Sequence, residues 1–145
     1  MTEIIKTTVV PYTPEEMYVL VNDIESYPIF LPWCAAAKIL SQQEERLTAK
    51  LSLALGKIKQ SFTTENIMQD GSKIEMRLIE GPFKHLSGYW KFNQEDEQSC
   101  QIQLHMHFEF KNKIIKHTLG KAFYKVMDSL VESFVQRAQQ IYGNR

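Results

Sequence analysis

Residues 3–10 (EIIKTTVV) are rich in β-branched side chains and run into Pro11, a pattern that predicts a first strand. Thr13-Pro14-Glu15-Glu16 then combines three helix-start signals. Thr13 suits the N-cap, Pro14 suits the first helical position, and Glu16 completes a capping box at the positive end of the helix dipole. The helix is expected to run through Met17, Leu20 and Val21 to about Asp23. Tyr27-Pro28-Ile29-Phe30-Leu31-Pro32-Trp33 is apolar but twice interrupted by proline, so it forms only a short helical turn or loop. A segment this apolar must lie against another apolar surface.

From Ala35 to Phe110 the period changes to two. Leu47, Ala49, Leu51, Leu53 and Leu55 alternate with Thr48, Lys50, Ser52 and Ala54 until Gly56 breaks the run. Ile58, Phe62 and Met68 share a parity with the polar Gln60, Thr64 and Asn66. Asp70-Gly71 marks a turn, after which Ile74, Met76 and Leu78 oppose Lys73, Glu75 and Arg77. Gly81-Pro82 turns the chain again. Leu86, Gly88, Trp90 and Phe92 then oppose His85, Ser87, Tyr89 and Lys91, and Ile102, Leu104, Met106, Phe108 and Phe110 oppose Gln101, Gln103, His105, His107 and Glu109. Consecutive strands on short turns predict an antiparallel meander with one apolar face.

The tail supplies the cover for that face. From Asn112 to Tyr142 there is no proline and the period returns to 3.6. Ile115, Leu119, Ala122, Phe123, Val126, Leu130, Phe134, Ala138 and Ile141 form one stripe. A helix of about thirty residues spans roughly 45 Å, enough to cross a sheet. Gly120 sits inside it at an intrinsic cost of about 0.8–1 kcal/mol against alanine.

Composition narrows the class. The 145 residues, 43% hydrophobic with 8 Phe, 6 Tyr and 2 Trp, suit one domain over residues 1–145 and exclude intrinsic disorder. The longest uncharged stretch, Ser26 to Ala37, has 12 residues and two prolines, too short to span a membrane. With no secretory pattern and only Cys34 and Cys100, the chain reads as cytoplasmic with reduced thiols. Net charge is zero, which argues against a DNA binder. The charge is unevenly spread, however. Residues 1–110 carry 10 basic and 15 acidic side chains, a balance of −5, and residues 111–145 carry 7 and 2, a balance of +5.

Specific residues go further than topology. Pro11-Tyr12, Met17-Tyr18, Val21-Asn22-Asp23, Tyr27-Pro28 and Phe30-Leu31-Pro32 with Cys34 resemble the coenzyme Q-binding and RatA ribosome-association toxin family of START-like proteins. So do Gly81-Pro82-Phe83-Lys84, Gly88 with Trp90-Lys91-Phe92, and Phe108-Glu109-Phe110 with Asn112. The matches run in order along nearly the whole chain. The resemblance implies an α+β helix-grip (START/Bet v 1-like) fold. In it a curved antiparallel sheet of about seven strands wraps a long C-terminal helix, with two short helices after the first strand. It implies a hydrophobic tunnel between sheet and helix, and two functions known in the family. Some members bind ubiquinone and support respiratory electron transfer; others bind the large ribosomal subunit and hinder subunit joining. Where many members carry a serine, this chain has Ala35-Ala36-Ala37.

On that frame the candidate ligand-binding residues are Tyr27, Phe30, Leu31 and Trp33 as an aromatic gate. Leu51, Leu53, Phe62, Met76, Leu78, Trp90, Leu104, Met106 and Phe108 are expected along the tunnel, closed by Leu119, Phe123 and Met127. Lys113, Lys116, Lys121 and Lys125 form a candidate surface for an anionic partner, either rRNA phosphate or lipid headgroups at the inner membrane. His105 and His107 share a strand face, but no third ligand is fixed by spacing, so no metal site is expected. No nucleophile or acid–base motif is present, and of the inward-parity residues only Glu80 titrates, so no catalytic residue is expected. The leading expectation is a non-enzymatic carrier or chaperone of ubiquinone or another isoprenoid lipid, with no cofactor apart from bound quinone as ligand. The alternative is a toxin that blocks ribosomal subunit association.

Overall fold

The computed structural model describes residues 2–69 and 71–145. Seven strands form one sheet: β1 (Thr2–Val10), β2 (Cys34–Gln42), β3 (Arg46–Leu55), β4 (Ile58–Gln69), β5 (Lys73–Glu80), β6 (Phe83–Asp96) and β7 (Ser99–Phe110). Their order is β1-β7-β6-β5-β4-β3-β2, with every neighbour antiparallel. The meander is therefore as the alternation predicts, with β1 added at the edge beside β7. Asp70 lies outside the described residues; its partner in the expected turn, Gly71, has φ of +75°, a conformation open to glycine.

Register shifts interrupt β2 against β3, β4 against β5, and both ends of β6 against β7. Such bulges bend a strand and increase its twist, which curls this sheet around a helix. Between β4 and β5 the shift pairs Thr63 with Glu80 but Thr64 with Leu78, and both threonines are buried.

α1 (Pro14–Asn22) starts as its sequence predicts. Thr13 Oγ1 accepts from Glu16 N at 3.2 Å, and Glu16 Oε1 accepts from Thr13 N at 2.9 Å. A 3-10 turn over Ile24–Ser26 leads into α2 (Tyr27–Phe30), the short helical piece expected between the prolines. α3 (Lys113–Tyr142) is thirty residues long, with Asn112 Oδ1 accepting from Ile115 N at 2.9 Å.

One face of α3 buries Leu119, Phe123, Val126, Met127, Leu130, Val131, Phe134 and Ala138 against the sheet. Each of these side chains larger than alanine contributes about 1.5–3 kcal/mol on removal from water. Ile141, expected on that stripe, is 50% exposed instead. The last turn is anchored by polar contacts: the Tyr142 hydroxyl donates to Glu16 O at 2.9 Å, and that of Tyr12 donates to Gly143 O at 2.7 Å. Arg145 completes the clamp on the Glu16 carboxylate at 2.7 and 2.8 Å.

Candidate functional site

Between the concave face of the sheet and α3 lies an apolar cavity. The volume free to a water-sized body is about 70 Å³, and the empty space counted with open solvent at its mouth is about 690 Å³. Ala49, Leu51, Phe62, Met76, Leu86, Trp90 and Met106 line it from the strands, and Phe123, Met127, Leu130 and Phe134 from α3. Ile24, Tyr27 and Trp33 close one side. Polar character comes from Thr64, Asn66 and Arg77. Thr64 Oγ1 donates to Asn66 Oδ1 at 2.9 Å, and both residues are buried. A buried amide so engaged still has N–H donors to offer.

The segment at the mouth is held rather than loose. Tyr27 donates its hydroxyl to Val21 O, and its ring meets Phe134 edge-on at 5.4 Å. Phe30 packs on Phe134 at 5.3 Å beneath the Arg137 guanidinium, 5.0 Å from its ring. Trp33 O accepts from Ala54 N at 2.9 Å, which fastens the segment to β3. The Trp33 indole is 7% exposed, and its buried Nε1–H has no partner among the described residues. An unsatisfied buried donor costs about 1–3 kcal/mol. Burial raises the Tyr27 phenol above its ordinary pKa, which keeps it neutral.

Nine of the sixteen residues expected around a tunnel meet at this cavity: Tyr27, Trp33, Leu51, Phe62, Met76, Trp90, Met106, Phe123 and Met127. The other seven lie elsewhere. Leu31, Leu53, Leu104, Phe108 and Leu119 are almost wholly buried in packed core. Phe30 and Leu78 are half-buried beside it. Parity identifies the inner face of a strand, but not which inner residues border a void; that depends on how α3 sits. Thr64, Asn66 and Leu86 have the inward strand parity and Leu130 and Phe134 lie on the apolar stripe of α3, with no further signal in the sequence. Arg77, of outward parity, reaches the rim, where it is hydrogen-bonded to Glu65. Glu80, the one titrating residue of inward parity, is exposed, because the β4–β5 register shift turns the end of β5 outward.

A second feature runs along the N-terminal half of α3. Thr2, Phe108 and Phe110 form the floor of a groove bordered by Lys84, Lys111, Lys113, Lys116, Lys121 and Lys125, with Gly120 and Tyr124 farther along. All four lysines expected to meet an anion border this groove. Among the described residues none of the six is in an ion pair.

The sequence and the architecture have counterparts among known proteins. The family model for polyketide cyclase / dehydrase and lipid transport proteins matches residues 10–135. The Ribosome association toxin RatA of Pseudomonas aeruginosa is 40% identical over 142 residues, spanning 98% of this chain and 99% of that protein. The chain belongs to this START-like family. Another relative, the Coenzyme Q-binding protein COQ10 homolog B, mitochondrial, of Xenopus laevis, is 26% identical over 144 residues, 97% of this chain and 59% of that protein. The crystal structure of the Zhui aromatase/cyclase from a Streptomyces species superimposes with a TM-score of 0.86 over 99% of both chains. At 15% identity it shows the shared START-like fold alone.

Fold therefore does not decide chemistry in this family, and the site must. The START-like cavity of this chain has no carboxylate or imidazole among its lining residues. Its arrangement suits binding an apolar body with one or two hydrogen-bond acceptors. Among the described residues no helix is long and apolar enough to cross a membrane.

Proposed function

We propose that this protein associates with the ribosome, as its RatA relatives are named for doing, and acts there without catalysing a reaction. In this reading it binds the large subunit in the cytoplasm through Lys113, Lys116, Lys121 and Lys125, and so hinders subunit joining. The observation that carries the reading is the row of lysines around an apolar-floored groove, none of them ion-paired among the described residues. Cations free of protein partners are available to phosphate oxygens, and each contact releases counterions from the nucleic acid. Relatives named RatA that are 40% identical over almost the full chain support it. The test is sedimentation of purified ribosomal subunits with the untagged protein at stepped salt. We expect co-sedimentation with the large subunit, fewer joined ribosomes, and steep loss of binding as salt rises. Joint reversal of Lys113, Lys121 and Lys125 to glutamate should weaken binding at least about tenfold. No association at low salt would overturn the proposal.

A second reading keeps the cavity in view. Here the protein sequesters ubiquinone or another isoprenoid lipid and supports respiratory electron transfer as a carrier or chaperone. Trp33 Nε1–H and the Asn66 amide then donate to quinone carbonyls. The observation that favours it is Trp33, which lines the apolar cavity and whose buried indole N–H has no partner among the described residues. A free volume of about 70 Å³ is well below the roughly 300–1,000 Å³ of ligand pockets, so in this reading α3 or the Tyr27–Trp33 segment shifts to admit a headgroup. The isoprenoid tail leaves through the mouth, and the lysine groove contacts anionic lipid at the membrane periphery. Organic extraction of the native protein followed by mass spectrometry checks this. Near-stoichiometric quinone supports the carrier; an empty protein that also refuses added quinone removes it.

A further inference from the structure

On the outer face of the sheet, away from the cavity, three ligating groups from distant parts of the chain converge. His105 and His107 project from the same side of β7, and Glu3 lies on the neighbouring β1, opposite His107 in the register. Glu3 Oε2 is 3.1 Å from His105 Nε2 and 3.3 Å from His107 Nε2, and the two imidazole centroids are 4.5 Å apart. All three ligand atoms fit within 4.8 Å of one another. Spacing along the chain offers only the histidine pair, because the third group is 102 residues from His105. Strand pairing brings it in.

We infer that Glu3, His105 and His107 form a binding site for a divalent first-row transition metal of the zinc type, which clips edge strand β1 to β7. Zinc takes imidazole nitrogen and carboxylate oxygen at about 2.0–2.2 Å, so two ligands of a tetrahedral ion stand about 3.3 Å apart. The two carboxylate–imidazole distances already match that edge; closing the histidine pair onto a shared ion requires only rotation of partly exposed rings. The outer nitrogen is supported too. Tyr89 Oη lies 3.4 Å from His105 Nδ1, with its ring edge-on to the imidazole. A hydroxyl accepts from Nδ1–H when Nε2 holds a metal and donates to Nδ1 when it does not, so either state is satisfied. Two histidines and one carboxylate leave a coordination position for water. Both imidazoles also border a shallow concavity between β4 and β7, floored by Ser87, Gly88 and Tyr89. The site is independent of both readings of function above, since neither the cavity nor the lysine groove contributes a residue.

The test is titration of the untagged full chain with Zn²⁺ by calorimetry, with Co²⁺ as a spectroscopic substitute. We expect one ion per chain, a visible Co²⁺ band of low-symmetry coordination, and a higher melting temperature with zinc. His107→Gln and Glu3→Gln should each weaken binding at least about tenfold and abolish the thermal shift. His85→Gln, on the next strand, should leave binding unchanged. Glu3 is exposed and glutamine keeps its hydrogen-bond acceptor, so that variant reports lost ligation in a folded chain. Absence of saturable binding, or binding indifferent to Glu3→Gln and His107→Gln, would overturn the site.

Discussion

Gly88 on β6 pairs with Met106 on the neighbouring β7, and a Cβ built there would lie 2.1 Å from the His105 carbonyl oxygen and 2.9 Å from Met106 Cα. Both are backbone atoms of a central strand pair and have nowhere to go. Gly88→Ala should therefore destabilise by about 3 kcal/mol or more, read from urea denaturation. The thiols give a second test at the same scale. Burial pushes Cys34 up to about 11 and Cys100 up to about 12, the latter helped by Glu15 and Glu16. Both then remain protonated at neutral pH, and neither should react with a thiol reagent until the protein unfolds. Glu16 moves the other way: its hydrogen bond to Arg145 holds the carboxyl below the usual carboxylate range. A depressed folded-state pKa contributes stability above the ordinary carboxylate value, lost as pH falls through the folded value. Urea midpoints should thus decline in acid with a shallower slope for Glu16→Gln. The capping role of Glu16 was legible because Thr13 is three residues away. Its partner Arg145, 129 residues distant, had no local signature.

At the scale of elements, period and punctuation do most of the specifying. The change from 3.6 to 2 and back locates α1, the meander and α3, and prolines confine α2 to one turn. Bulges are the part that pattern hides, since one extra residue leaves both flanking runs alternating. That is why Glu80 reads as inward and lies outside. Ile141 fails for a different reason: the last turn of α3 is held by the tyrosine hydroxyl bonds Tyr142–Glu16 and Tyr12–Gly143, and Ile141 is left half-exposed. Gly120 offers a prediction at this scale. A Cβ there would rest 3.6 Å from the Phe110 ring, ordinary van der Waals distance. Gly120→Ala should then recover most of the helical cost and raise stability by up to about 1 kcal/mol, seen as a higher melting temperature.

For the molecule as a whole, the two candidate surfaces lie on different sides of α3's polar and apolar faces, so they can be separated by mutation. The sequence brought half of this within reach: strand parity marked the inner face and uneven charge marked the lysines, but neither showed which inner residues stop short of one another and leave a void. Leu53 and Leu104 show the difference, for they are inward and yet packed solid. A cavity-blocking change must start from a small residue on the wall, and Ala49 is the one that offers it, 2% exposed and bordering the space. Ala49→Leu adds three carbons toward a void of about 70 Å³. Filling an empty apolar cavity without strain is worth about 0.5–2 kcal/mol, so the variant should melt higher than the parent. Because no groove lysine is touched, its ribosome sedimentation and salt dependence should match the parent, whereas quinone uptake should disappear. Loss of ribosome association in a folded Ala49→Leu protein would mean that the cavity, not the lysine groove alone, governs that partner.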